Sequence, residues 1–142
     1  MDARILVTES DWQLLDYAYR DLGAHGYEIV TARPDDAVAA HSRCHPDVVL
    51  TSMDDIAYFE SQSPGALDEM MAHSVVLVTV ALESDPGDWQ ALARRGCEIL
   101  FKPLLHVTEL RVAMEFAVRN QRRALFEKRR NDERDGGHFR AG

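Results

Sequence analysis

A chain of 142 residues, 46% hydrophobic and 28% charged, has the size and composition of one soluble domain with its own core. No apolar run approaches the roughly 20 residues of a membrane span. The opening MDARILVTES runs straight into strand-like sequence, unlike a secretory leader, so the cytoplasm is the expected compartment. The net charge of −8 is unevenly spread: residues 1–118 carry 8 basic and 20 acidic side chains, and residues 119–142 carry 8 and 4. The acidic body argues against nucleic acid as its partner.

Arg4 to Thr8 is a short β-rich run without alternation, the pattern of a strand covered on both faces. Asp11 can cap a helix whose apolar positions Leu14, Leu15, Tyr17, Ala18 and Leu22 recur at helical spacing, with Gly23 and Gly26 closing it. Tyr27 to Thr31 predicts a second strand, Pro34-Asp35-Asp36 a second helix through Ala40, and Pro46-Asp47 the start of a third strand, Val48-Val49-Leu50. A looser stretch, 54–72, follows, with a helix through Ala66, Leu67, Met70 and Met71. Val75 to Val80 predicts the fourth strand, Trp89 to Arg95 a helix ended by Gly96, and Glu98 to Phe101 the fifth strand. A final helix runs from about Val107 past residue 130, and GGHFRAG reads as a disordered terminus. Five strands alternating with five helices predict a parallel sheet covered on both faces.

Cys44 and Cys97 are widely spaced and read as free thiols. His41 and His45 stand four apart, but Pro46 ends their helix and no further ligand is placed to complete a metal site.

Taken together, the element order, PDVVL at 46–50, Thr79 at the end of the fourth strand and Phe101-Lys102-Pro103 at the end of the fifth resemble the receiver domain of two-component response regulators over about residues 3–118. The resemblance implies a flavodoxin-like α/β fold, strand order 2-1-3-4-5, with the site at the carboxyl ends of the strands. In such a receiver a carboxylate ending the third strand accepts a phosphoryl group. Mg²⁺ is held by that carboxylate and an acidic pair after the first strand, while a lysine and a hydroxyl contact the phosphoryl oxygens.

Mapped onto this chain, Thr79 and Lys102 are retained, but the acidic pair becomes Glu9 and Ser10, and the acceptor position becomes Ser52. A serine with no evident base beside it is a poor acceptor. Val80 replaces the usual small residue after the threonine, and Ile99 replaces the aromatic that switches position in receivers. The pocket Glu9, Ser10, Ser52, Asp54, Thr79 and Lys102 is therefore expected to be vestigial: no catalytic residue, no cofactor, and Lys102 paired with Glu9. One alternative keeps phosphorylation at Asp54, or its neighbour Asp55, with Mg²⁺ held by Glu9 and Asp54. Another makes the pocket a sensor for an anion or small ligand. The resemblance also implies a cis Lys102–Pro103 peptide.

The expected function is a pseudo-receiver that signals by protein–protein contact. Its expected partners are other signalling proteins, such as a histidine kinase or a separate output domain, with no membrane partner. The contact face would comprise Trp89, Arg94, Arg95, Ile99, Phe101 and Arg111, with the flat face of Trp89 buried. In the last helix Leu110, Ala113, Met114, Ala117 and Val118 form the stripe that covers the sheet. Residues 119–142 then form a basic helical extension and tail, in which Leu125 and Phe126 have no core to join. Homodimerisation through this helix or its extension, pairing with another partner, a solvated linker to an output domain outside the chain, and a basic patch for nucleic acid or an anionic surface all remain open readings of it.

Overall fold

The computed structural model describes residues 3–8, 11–106 and 108–141, for Trp12 and 133–141 by the backbone alone. Strands β1 (Arg4–Val7), β2 (Glu28–Thr31), β3 (Val48–Ser52), β4 (Val75–Ala81) and β5 (Glu98–Lys102) form one parallel sheet in the order β2-β1-β3-β4-β5. Helices α1 (Trp12–Tyr17, continued by a π turn, Ala18–Leu22), α2 (Ala37–Cys44), α3 (Met53–Gln62), α4 (Ala66–Met71), α5 (Pro86–Arg95) and α6 (Thr108–Ala141) connect and flank the strands. This is the flavodoxin-like order expected from the sequence.

Alternate residues of the apolar strands serve opposite faces. Ile5, Val7, Val48, Leu50 and Leu77 join Leu14, Leu22, Leu110 and Met114 in one core layer. Leu6, Val49, Val76, Val78 and Val80 join Ile56, Phe59, Leu67 and Met70 in the other. The Pro46-Asp47 pair fixes where β3 begins. The Asp47 carboxylate accepts the Arg4 amide at 2.8 Å, and the Asp47 amide donates to the Arg4 carbonyl at 2.8 Å.

One sequence expectation is corrected. The stretch after Asp54 is not loose, because α3 starts at Met53, immediately after β3, and adds a sixth helix. Its buried side chains Ile56 and Phe59 sit on one helical face and complete a core layer, while Ala57 and Tyr58 between them are exposed. At the other end, α6 runs from Thr108 through Ala141, its last residues described by the backbone alone.

At the amino ends of β3 and β4, one buried hydrogen-bond chain ties α2 to the sheet. Ser74 donates its hydroxyl proton to the Pro46 carbonyl at 2.7 Å, so its oxygen accepts the Nε2 proton of His41 at 2.9 Å. Burial pushes the His41 imidazole below its ordinary pKa, His73 and His45 act in the same direction, and Glu69 opposes them. The unfolded chain therefore binds this proton at a higher pH than the folded one. The contribution of neutral His41 is complete above about pH 6.5 and is lost as the pH falls below it. Thermal denaturation from about pH 7 to about pH 5 should show a decline that is shallower in His41→Gln than in the parent chain. Equal slopes would remove His41 from the account.

Candidate functional site

The carboxyl ends of the strands bring four hydroxyl residues together. Thr8 follows β1, Thr51 and Ser52 end β3, and Thr79 lies on β4 opposite Ser52 in register. All four are buried, and each described hydroxyl bond is internal. Thr8 Oγ1 donates to Thr51 Oγ1 at 2.7 Å, and Thr79 Oγ1 donates to the Thr51 carbonyl at 3.3 Å. These bonds lace β1, β3 and β4 where the ladder ends. The sequence reading missed Thr8 and Thr51, although a hydroxyl at the end of an otherwise apolar strand is a visible signal.

Ser52 has a definite structural job. It is the N-cap of α3, and its Oγ accepts the Asp55 amide at 3.1 Å. The Ser-x-x-Asp spacing at 52–55 resembles a capping box. Among the described residues, no basic side chain hydrogen-bonds Ser52 Oγ. Ser52→Ala should cost about 0.5–2 kcal/mol of stability through the lost cap, read as a lower midpoint in urea. An unchanged midpoint would argue against the cap.

Glu9 and Ser10 lie outside the described residues. Asp54 is exposed on the first turn of α3, beside a shallow depression lined by Arg33, Pro34, Asp35, Asp55 and Tyr58. It therefore faces the β2–α2 connection and solvent. Asp55, the other candidate acceptor of the alternative reading, is the buried carboxylate of that turn. Lys102 ends β5 in register with Ala81, partly buried, and the Lys102–Pro103 peptide is cis. Val80, 1% exposed, fills the core layer under α3 and α4, and Ile99 packs partly buried against the same layer.

The residues named for a contact face do not all share one. Trp89 packs partly buried against the core and meets the Phe101 ring edge-on, with centroids 5.0 Å apart. Phe101 and Arg94 are exposed. Arg95, however, turns to the other side of α5 and pairs with Asp68 at 2.9 Å and Glu60 at 3.5 Å. Arg111 points to the π turn after α1, with Nη1 2.7 Å from His25 Nε2 and 3.9 Å from Asp21. Val112 and Phe116 of α6, which the sequence reading left out, are more than half exposed beside β5.

No protein-family model and no curated protein matches this chain by sequence. By structure, it is similar to the signal receiver domain of a Luxo repressor protein from Vibrio parahaemolyticus, with a TM-score of 0.70 at 15% identity. That match covers 89% of this chain and 97% of the other. It is similar to the chemotaxis protein CheY4 of Vibrio cholerae, with a TM-score of 0.63 at 17% identity over 82% and 99% of the two chains. NtrX from Brucella abortus, solved in complex with ATP, gives 0.66 at 22% identity. There the match covers 93% of this chain but 29% of NtrX.

Proposed function

We propose that this chain, whose fold is that of the response-regulator receiver domains, signals by protein–protein contact without phosphorylation of an aspartate. The observation that carries the reading is Ser52: the position from which a receiver's carboxylate would attack holds an alcohol whose oxygen caps α3. A serine leaves one oxygen where a phosphoryl-accepting site needs a nucleophilic carboxylate that also binds the metal. Lys102 paired with Glu9 would replace the cation cluster as a fixed cross-link between β5 and the segment after β1. Val80 supports the same reading, because its side chain is committed to the core next to the position where a phosphoryl group would need room.

The contact surface in this proposal is the side of the sheet formed by α5, β5 and the first half of α6. Phe101, Val112 and Phe116 stand exposed there around the edge strand. Amide NMR with Mg²⁺ and beryllofluoride, which mimics a phosphoryl group on a carboxylate, tests the reading. The expected result is no saturable shift at Ser52, Thr79 or Lys102. Saturable shifts that require both Mg²⁺ and beryllofluoride would overturn it in favour of an aspartyl acceptor.

A further inference from the structure

Among the described residues, α6 changes character at Gln121. Before it, Leu110, Met114, Ala117 and Val118 are buried against the sheet. The Asn120 side chain then donates to Glu98, and the Gln121 side chain donates to the His73 carbonyl. From 122 to 132 every residue is exposed, so the helix leaves the body there. This projecting part carries Arg122, Arg123, Lys128, Arg129 and Arg130 against Glu127 and Asp132, and it presents Leu125 and Phe126, the latter 60% exposed. An isolated helix of this length gains little from intrinsic propensity and needs a surface to cover its apolar side chains.

The body offers such a surface. Between β5 and the first half of α6 lies a shallow groove of about 610 Å³, lined by the apolar Leu77, Leu100, Val112 and Phe116 and by the acidic Glu98 and Glu109. Phe116 is 56% exposed and Val112 62%. The groove is apolar and acidic, and the extension is apolar and basic. Within one straight helix the extension cannot fold back onto its own groove.

We infer that the extension of α6 docks in this groove on a second copy of the chain, and that the second copy returns the contact, with the two α6 helices antiparallel. Phe126 lies ten residues beyond Phe116, about 15 Å along the axis. An antiparallel pair centred near residue 121 therefore sets Phe126 of each copy against Phe116 of the other, and the basic 122–130 segment opposite residues 112–120, with Glu98 beside Asn120 at its near end. Charge complementarity selects a second copy: the segment from 119 to 134 carries seven basic and three acidic residues, while residues 1–118 carry 8 and 20. The inference rests on the reading of the chain as a contact-based module and names its partner.

Sedimentation velocity on the full chain tests it with Phe116→Asp and Phe126→Asp. Both sites are exposed, so circular dichroism should confirm unchanged folding. The parent chain is expected to be a dimer, and each substitution is expected to weaken association about tenfold or more by removing a central aromatic anchor. An equimolar mixture of the two variants should regain part of the association. One intact extension then meets one intact groove, a contact neither variant can make with itself. A monomeric parent chain would overturn the inference. So would a dimer insensitive to Phe116→Asp, or a mixture no stronger than its components, either of which means the extensions pair with each other. None of these outcomes alters the beryllofluoride result, so the two readings fail separately.

Discussion

Phe59→Ala is expected to remove about 3–5 kcal/mol of stability, a large share of the roughly 5–15 kcal/mol that holds a domain folded. Phe59 is 1% exposed in the layer between the sheet and α3–α4, beside Ile56, Leu67 and Met70. Truncation removes the transfer free energy of the ring and leaves a cavity that close-packed neighbours refill only in part. Its helical neighbour Tyr58 is 46% exposed, and Tyr58→Ala should stay within about 0.5 kcal/mol. Urea midpoints for the two variants measure the contrast. A small effect at Phe59 would mean that α3 does not seal this face.

The second large effect is a gain. On the proposed reading, Ser10→Asp with Ser52→Asp should give the chain a stronger Mg²⁺ site than the parent chain has. Affinity should rise on the order of tenfold or more, since hard-cation affinity follows the number of charged oxygen ligands. Aspartate caps a helix as well as serine does, so the cap of α3 survives the exchange. Ser52 is only 6% exposed, however, so the new carboxylate is buried and costs stability until a cation pairs with it. The expected signature is a melting temperature that falls in the variant without Mg²⁺ and recovers as Mg²⁺ is added, while that of the parent chain is indifferent. A parent chain stabilised by Mg²⁺ to the same degree would contradict the vestigial reading.

Much of the fold was legible because its signals are local and redundant. Uninterrupted apolar strands, Pro and Asp at helix starts and Gly96 in the left-handed conformation at the end of α5 all agree with the parallel order. The α3 segment was not legible. Met53-Asp54-Asp55 looks like a solvent-facing loop until Ser52 is seen to cap it, and the cap is a three-dimensional fact. The same holds for the carboxylates. Two adjacent aspartates look equivalent in the sequence, but helical rotation sends Asp54 to solvent and buries Asp55. Arg95 and Arg111 fell out of the expected contact face for a related reason. Long side chains go to the nearest acidic partner, and those partners stand on α3, α4 and the turn after α1.

Intact-mass spectrometry of the parent chain after incubation with acetyl phosphate and Mg²⁺ bears most directly on whether this receiver fold accepts phosphate. The account predicts an unchanged mass, with a conventional receiver treated in parallel gaining one phosphoryl group. A labile adduct of that mass on this chain, removed by hydroxylamine and mapped to Asp54 or Asp55, would contradict it.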